Sequence, residues 1–390
     1  MFVPRLAAGR LRRLLQTFPA VAVLGPRQCG KTTLVRRLFP KAESFDLERP
    51  SDLRRLESDP EYVLGRLKPP VILDEAQRMP DLFPILRALI DEHRAGCGRF
   101  VLLGSAHPSL VRGISESLAG RIGFLELDPF TYAEAAAAGA GLDDLWLRGG
   151  FPDACLHADR RSRRDWVDGY IRTFLERDLA GLAVDVSAAQ MRRLFHMLAY
   201  ANGALWNASE FGRALDLSYH TVNRYDDILE QGFLLRRLPP YFANLSKRLV
   251  RSPKIYLTDS GLLHAILGVE TSRQLDVSPQ RGLSWEGFMI EQIIRREKLA
   301  HPSSRFYFWR TATGQEIDLI VERGGRRIGV EMKVGTRVDP SDWKTLRYAI
   351  ENLKLARAYV VNQSEAPYSP LAGVEVVPAE RLLVSPKWSL

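Results

Sequence analysis

The chain has 390 residues, with 55 Lys and Arg against 46 Asp and Glu, which gives a formal net charge of +9. This length exceeds what one ordinary hydrophobic core supports, so we expect two or three domains. Hydrophobic residues at 46% and charged residues at 26% are typical of a soluble globular protein and exclude the disordered and fibrous classes. No apolar run approaches the roughly 20 residues that cross a bilayer, so we expect no membrane partner.

The amino terminus contains four arginines that raise the question of a targeting peptide: Arg5, Arg10, Arg12 and Arg13. The apolar stretch behind them is short and leads directly into a glycine-rich loop, which cleavage would destroy. Three scattered cysteines, Cys29, Cys97 and Cys155, lack metal-ligand spacing and predict a reducing compartment without structural disulfides. We therefore expect a mature cytoplasmic protein. Its basic charge permits nucleic-acid binding without establishing it.

Short apolar runs alternate with amphipathic segments in the first third of the chain, at residues 21–24, 71–73, 100–103 and 124–127. Strands that alternate with helical patterns predict an α/β fold, a parallel sheet with helices on its faces. Asp128 and Pro129 close this region, and Thr131 with Glu134 predicts a capping box that opens the next helix. We therefore place the first domain at residues 1–130.

Residues 131–275 have mainly helical patterns. Apolar side chains recur at helical spacing from Val167 to Leu179, and three further helices are predicted at residues 191–200, 209–215 and 218–231. A strand is predicted at residues 233–238. Three helices followed by a β-ribbon are the layout of a winged helix-turn-helix, so we expect a helical lid and a winged-helix region here.

Two polar groups in this region have alternative interpretations. The third helix of the winged-helix pattern contains Tyr219, His220, Thr221, Asn223 and Arg224, which would face either a DNA groove or an assembly surface. An earlier run contains Arg160, Arg161, Arg163 and Arg164. We interpret this run as a solvated helix start rather than a phosphate clamp.

Residues 276–390 return to an α/β pattern. A helix is predicted at residues 284–295 and strands at 305–309, 316–321 and 327–334, with Gly314, Gly324 and Gly325 at the turns. We expect these residues to form a separate C-terminal domain.

A phosphate-binding loop is predicted at residues 25–32, where Gly25, Gly30, Lys31 and Thr32 have the spacing G-x-x-x-x-G-K-T. The loop follows an apolar strand and precedes a helical pattern, which is the context this motif requires. Its backbone N–H groups would face phosphate oxygens. Lys31 would reach the β and γ phosphates of ATP, and Thr32 would ligate Mg2+. The predicted nucleotide-binding set also includes Pro26, Arg27, Gln28, Cys29 and Thr33.

Two carboxylates, Asp74 and Glu75, follow the apolar strand at residues 71–73. A strand end beside the phosphate loop suits Asp74 for holding the magnesium shell, and Glu75 would polarise the attacking water. The alternative is a strand that simply ends in solvated acids.

Two more polar residues are candidates at the same site, and three loop residues have alternative interpretations. Ser105, just after the strand at 100–103, would sense the γ-phosphate or orient the water. Arg121 would act as an arginine finger on the nucleotide of its own or of a neighbouring subunit, and the second role would require a homo-oligomer. Cys29 lies within the loop, where a small side chain tolerated by the turn is a simpler interpretation than an oxidisable thiol. For Arg27 and Gln28, the alternative to a role in nucleotide binding is that their side chains point to solvent.

A second cluster is predicted near the C-terminus. Strand alternation places Glu331 and Lys333 on one face, and Asp318 on the preceding strand would lie alongside them across a hairpin. Glu286 is a possible fourth member. Two acids on adjacent strands can hold a divalent metal while a lysine orients water. The alternative is a solvated strand face.

The chain resembles prokaryotic AAA-type ATP-binding proteins with a C-terminal restriction-endonuclease-like domain, also called the PD-(D/E)xK fold. The resemblance depends on motifs at residues 25–33, 73–77, 118–121, 149–152, 170–179, 255–262, 285–288, 309–310, 316–318 and 330–333. It implies a P-loop ATPase core, a winged-helix middle and a nuclease-fold tail. The chain departs from the usual pattern at Cys29, where valine is usual, and at Gly287, where asparagine is common.

Three functions fit this sequence. The first is an ATPase that couples hydrolysis to a conformational change and acts on DNA. The second is a nucleotide-gated nuclease, and the third is a nucleotide-dependent switch that binds a protein partner.

Overall fold

The computed structural model describes residues 2–93, 96–105, 114, 116–157, 159–175, 187–241 and 251–385. The chain forms two compact units, one of Met1–Phe130 with Gln231–Phe233 and the other of Thr131–Glu230 with Leu234–Leu390. The predicted helical stripe ends at Leu179, which lies outside the described residues, as does the end of the motif at residues 170–179.

The first unit contains a five-stranded parallel sheet, as the sequence predicts. Its strands are β1 (Ala20–Leu24), β2 (Ser44–Asp46), β3 (Val71–Asp74), β4 (Phe100–Gly104) and β5 (Ile122–Glu126). Their order across the sheet is β2-β3-β4-β1-β5. Strand β2 was not predicted, because it has only three residues and no apolar run.

The helices of the described residues that accompany this sheet include α1 (Ala7–Thr17), α2 (Lys31–Leu38), α3 (Pro50–Glu57), α4 (Pro60–Gly65) and α5 (Leu82–Glu92). Every residue of β1 and β4 is buried, as expected for parallel strands covered on both faces. Because all five strands are parallel, their carboxyl ends lie at one edge. The segments that follow β1, β3 and β4 therefore meet there.

The second unit begins with helices α6 (Tyr132–Ala137), α7 (Leu142–Arg148), α8 (Pro152–Leu156), α9 (Arg160–Thr173), α10 (Ala188–Tyr200), α11 (Ala208–Leu215) and α12 (Tyr219–Gln231). The capping box of Thr131 and Glu134 is confirmed. Strands β6 (Leu235–Leu238) and β7 (Lys254–Leu257) then pair antiparallel. Helices α13 (Ser260–Ile266) and α14 (Ser272–Asp276) complete this part.

The remainder of the second unit is built on a six-stranded mixed sheet in the order β12-β13-β11-β10-β9-β8. Its strands are β8 (Arg305–Arg310), β9 (Glu316–Arg323), β10 (Arg326–Met332), β11 (Arg357–Asn362), β12 (Tyr368–Leu371) and β13 (Val374–Pro378). The accompanying helices are α15 (Arg281–Ala300), α16 (Pro340–Leu353) and α17 (Ala379–Val384). Among the described residues, no helix combines the length and the apolar character needed to cross a bilayer.

Candidate functional site

The predicted phosphate loop connects β1 to α2 through a tight turn. Gly30 has a φ of 97° and Gln28 a φ of 59°, so two residues adopt the left-handed conformation that glycine tolerates best. Gly25 is needed for a different reason. A Cβ atom at this position would lie 2.1 Å from the carbonyl oxygen of Leu127, so no other residue fits without moving the loop.

The side chains around the loop assemble as a compact polar site. Lys31 is buried, and its Nζ donates to the carbonyl oxygens of Gly25 at 3.0 Å and Pro26 at 2.8 Å. The Thr32 hydroxyl donates to Oδ2 of Asp74 at 2.7 Å. The structure therefore brings together the lysine, hydroxyl and carboxylate that the sequence predicts at one site.

The remaining loop side chains lie further from this centre. Arg27 lies 3.6 Å from Glu48 in an ion pair, and Gln28 and Thr33 are exposed. These side chains form the outer surface of the loop. The contribution of Gln28 and Thr33 to nucleotide binding stays a prediction.

The two acidic residues at the end of β3 differ in backbone conformation. Asp74 ends the strand, whereas Glu75 has φ 54° and ψ 46°, which is strained for a residue with a side chain. The Glu75 N–H donates to Asp74 Oδ1 at 3.1 Å, and the Gln77 amide donates to the Glu75 carboxylate. Gln77 is a contact that spacing alone did not predict.

Both carboxylates have raised pKa values. Burial raises the pKa of Asp74, with the Thr32 hydroxyl and the Lys31 ammonium acting in the opposite direction. Burial also raises the pKa of Glu75, against the lowering effect of Lys31 and Arg27. A carboxylate with a raised pKa is a stronger proton acceptor, which suits Glu75 for polarising a water molecule.

Ser105 directly follows β4, the strand between β1 and β3. It therefore lies at the same sheet edge as the loop and Asp74. Arg121 lies at the amino-terminal ends of the strands, opposite the loop. It precedes β5, and its carbonyl accepts from Ala20 N at the start of β1.

The guanidinium of Arg121 is bound to Asp91, with Nε 2.8 Å and Nη2 2.9 Å from its two oxygens. A five-residue strand spans about 16 Å, so the backbone of Arg121 lies roughly that far from the loop after β1. This placement and the pairing with Asp91 do not favour an arginine finger within one chain. The role towards a neighbouring subunit stays a prediction.

Arg5 braces the phosphate loop through the loop's backbone, although in the sequence it stood out only as part of a candidate targeting peptide. Its Nη1 donates to the carbonyl oxygen of Cys29 at 2.7 Å, and its Nη2 donates to that of Asp128 at 2.5 Å. The guanidinium also lies 5.0 Å from the centre of the Phe130 ring. One side chain thus joins the amino terminus, the loop and the segment after β5.

Cys29 faces inward on the same side. Its thiol is fully buried and donates to the carbonyl oxygen of Leu127 at 3.1 Å. Burial raises the pKa of this thiol, so the reactive thiolate is disfavoured. This geometry favours the interpretation of Cys29 as a small packing side chain.

The C-terminal acids also come together. In the register of β9 and β10, Val330 is opposite Leu319, so Glu331 is opposite Asp318, as predicted. Asp318 Oδ2 accepts from Met332 N at 2.8 Å, and Lys333 Nζ lies 3.0 Å from Glu331 Oε1.

Burial, followed by the charges of Glu331 and Glu286, raises the pKa of Asp318 well above its usual range. Burial raises the pKa of Glu331 to about 7, against the opposing effect of Lys333. Two carboxylates are therefore held close together in a buried place, where a positive charge would stabilise both.

Lys254 and Glu316 belong to this cluster and were not predicted. One oxygen from each of Glu286, Glu316 and Asp318 lies within 4.8 Å of the others. Lys254 Nζ lies 2.7 Å from Glu286 Oε1 and also pairs with Glu316. The lysine side chain is 4% exposed, so a buried ammonium ion neutralises part of this acidic group.

The environment of Lys254 keeps it charged. Burial lowers the pKa of Lys254, but the negative charges of Glu286, Asp318 and Glu316 outweigh this effect and raise it above its ordinary value. Tyr256, two residues further along β7, donates its hydroxyl to Glu286.

The parallel sheet, the glycine-bounded loop and the Lys31–Thr32–Asp74 arrangement define an AAA-type P-loop ATPase domain. In agreement, residues 17–136 match a family model described as "AAA domain". Residues 139–273 and 281–382 match two models described as domains of unknown function, DUF8612 and DUF4143.

The chain belongs to the same family as two mycobacterial proteins. It is 44% identical over 381 residues to "Uncharacterized protein Rv2008c" of Mycobacterium tuberculosis and equally to "Uncharacterized protein Mb2031c" of Mycobacterium bovis. Each alignment covers 97% of this chain and 84% of the relative.

Solved structures show weaker similarity. The Walker-type ATPase PABY2304 of Pyrococcus abyssi is 14% identical with a TM-score of 0.45, covering 68% of this chain and 96% of that one. A RuvB variant of Thermotoga maritima is 18% identical with a TM-score of 0.32, covering 61% and 91%. Neither similarity is high enough to assign a function.

We expect Gly25→Ala to weaken binding of a fluorescent ATP analogue by roughly tenfold or more, because overpacking at this site must displace the loop. The control is Gly169→Ala on α9, where a new Cβ would have no heavy atom within 4 Å. Fluorescence titration of both variants measures the difference. Unchanged affinity in Gly25→Ala would contradict the role assigned to the Leu127 contact.

We expect Arg5→Met to lower the free energy of unfolding by about 1–3 kcal/mol, because a buried and a partly buried carbonyl oxygen lose a charged donor. Nucleotide affinity should fall with it, since the loop loses its brace. Arg12→Met is the control, because Arg12 is exposed on α1. Denaturant unfolding and nucleotide titration test both effects, and equal behaviour of the two variants would refute the brace.

Proposed function

We propose that the P-loop site hydrolyses ATP with magnesium and that turnover drives a conformational change in the chain. The observation that carries this proposal is the 2.7 Å hydrogen bond between Thr32 and Asp74. It joins the loop to the strand end that also bears Glu75. Binding without hydrolysis would not need a second carboxylate beside the first.

The residues fit a magnesium-bound triphosphate. Thr32 and Asp74 offer hard oxygen donors of the kind that Mg2+ prefers, and the loop backbone curls as a phosphate cradle requires. Lys31 Nζ donates to the carbonyl oxygens of Gly25 and Pro26, which phosphate oxygens can replace. When bound, magnesium neutralises charge that develops on the phosphates. Glu75 would accept a proton from water, and Ser105 would orient that water or sense the γ-phosphate.

We expect purified protein to release phosphate from ATP, with a rate at least about a hundredfold lower in Lys31→Ala. Glu75→Gln should lower the rate to a similar degree while retaining nucleotide binding, because only proton transfer is lost. The control is Lys41→Ala, since that side chain is exposed and lies outside the phosphate loop. Phosphate release assays measure the three variants. Full turnover by Lys31→Ala would remove the catalytic assignment.

For the second unit we propose a restriction-endonuclease-like core that acts on DNA under the control of the nucleotide. The polar set of Asp318, Glu331, Glu286 and Lys333 supports this proposal. Glu331 Oε2 is buried without a hydrogen-bond partner among the described residues, and the three acidic members of the set offer carboxylate oxygens as metal ligands. Such a set fits a hard divalent cation, which would polarise a phosphodiester when bound.

The position of Lys254 favours a metal site whose occupancy is controlled over one that is always occupied. Its ammonium pairs with Glu286 and Glu316 and interacts electrostatically with Asp318. A divalent cation would repel it from that place. We propose that displacement of Lys254, which lies on β7, accompanies metal binding.

The helices α10, α11 and α12 followed by the β6–β7 pair support a winged-helix assignment with DNA contacts through α12. Tyr219, His220 and Arg224 are exposed on that helix. Asn223 instead accepts from Trp206 Nε1 at 3.0 Å, so it serves the packing of the module. The alternative of a switch that binds a protein partner would use the same exposed face.

We expect Lys254→Met to bind Mn2+ at least tenfold more tightly than the parent protein, since removal of one positive charge from a buried acidic cluster favours a competing cation. Lys254→Met combined with Asp318→Asn should lose this gain. Lys344→Met is the control, because Lys344 is exposed on α16.

Isothermal titration with Mn2+ measures affinity, and Mn2+ should raise the unfolding temperature of Lys254→Met even where that variant is destabilised. Equal Mn2+ affinity in the parent and Lys254→Met would contradict the gating role. Plasmid cleavage in Mg2+ or Mn2+ with ATP, lost in Asp318→Ala and Lys333→Ala, tests the nuclease itself.

A further inference from the structure

A pocket of about 440 Å3 lies in the second unit beside the first turns of α9. Arg160, Arg163 and Arg164 of that helix line it together with Arg148 at the end of α7. Three of the four arginines in the run that sequence analysis interpreted as solvated therefore border one concavity. Arg161, the fourth, is exposed and is not part of its wall.

Positive charge is in excess around this pocket. Glu270 is the one carboxylate in its described lining, and it is shared between Arg164 Nη1 at 2.6 Å and Arg160 Nε at 3.5 Å. Arg148 pairs with Asp144 at 2.8 Å. In the described part of the chain, no carboxylate oxygen lies within 4.0 Å of the Arg163 guanidinium, so Arg163 forms no ion pair there. Burial and then the charge of Arg148 lower the pKa of Arg163, as expected where a guanidinium lacks a counter-ion.

Arg148 also has an unused hydrogen-bond donor. Its Nε is buried and lacks a partner among the described residues. Buried donors are nearly always satisfied in folded proteins, so an acceptor from outside the chain is the expected partner. Arg148 and Arg163 therefore need the same kind of group, an anion with several acceptor oxygens.

The shape of the pocket indicates the size of that anion. Its volume falls in the range of small-molecule sites, and Leu147, Val167 and Ala265 contribute an apolar part to the lining. Arginine forks match the geometry of phosphate oxygens. A small phosphate ester or pyrophosphate would satisfy the guanidinium groups, and an attached apolar or ring portion would pack on the apolar part.

We propose that this pocket is a binding site for a small phosphorylated ligand, with the phosphate held by Arg148, Arg160 and Arg163. The site is separate from the phosphate loop and does not depend on the function proposed for it. It makes the helical part of the second unit a place where a second phosphorylated molecule binds the protein.

Inorganic pyrophosphate is the probe, titrated calorimetrically into full-length Lys31→Ala protein so that the phosphate loop contributes little heat. We expect one site per chain. Adding Arg163→Gln should weaken binding roughly tenfold, since a charge-assisted contact is lost, whereas Arg161→Gln should leave affinity within about twofold as the matched control.

Glu270→Gln gives a result that misfolding cannot imitate. Removal of the competing carboxylate should tighten pyrophosphate binding by about threefold or more. Thermal unfolding followed by circular dichroism checks that each variant is folded. The proposal is overturned if pyrophosphate does not bind, if Arg163→Gln binds as well as its parent, or if Glu270→Gln binds no more tightly. Binding of a single-stranded oligonucleotide through Arg163 without pyrophosphate binding would also overturn it.

Discussion

The nucleotide site depends on the close approach of one backbone carbonyl. Leu127 N donates to Leu24 O at 2.7 Å, which continues the β1–β5 pairing beyond the strands. The carbonyl of Leu127 then occupies the space beside Gly25 and accepts from the Cys29 thiol. This contact sets the path of the loop. The burial of Lys31 and the hydrogen bond of Thr32 to Asp74 follow from that path.

The sequence predicts the parts of this site whose determinants are local. The loop spacing identifies Lys31 and Thr32, and an apolar strand that ends in two acids identifies Asp74 and Glu75. Arg5 was missed because its partners lie 24 and 123 residues away, and an isolated arginine has no pattern to mark it. Arg121 was predicted at the site from its motif, but the motif does not reveal that Asp91 holds the side chain near the amino-terminal ends of the strands.

In the C-terminal cluster, strand alternation predicts the acidic residues but not the lysine that pairs with them. Alternation along β10 predicts Glu331 and Lys333, and hairpin pairing predicts Asp318. Lys254 comes from a separate two-stranded sheet and has no sequence relation to them. Gly287 explains part of this arrangement, since a Cβ there would lie 3.0 Å from Tyr256 Cδ1 and 3.3 Å from Asn202 Nδ2. The departure from asparagine thus leaves room for the Tyr256 ring, whose hydroxyl reaches Glu286.

The Arg5 contact has a thermodynamic consequence for the amino-terminal segment. A ligand that stabilises the loop favours the arrangement in which the Cys29 carbonyl accepts from Arg5, and linkage requires the converse by the same free energy. Ordering of the first residues therefore favours nucleotide binding in the loop, and nucleotide binding favours ordering of those residues. Resistance of that segment to proteolysis becomes a reporter of nucleotide occupancy, and a molecule that grips the segment becomes an effector of nucleotide affinity.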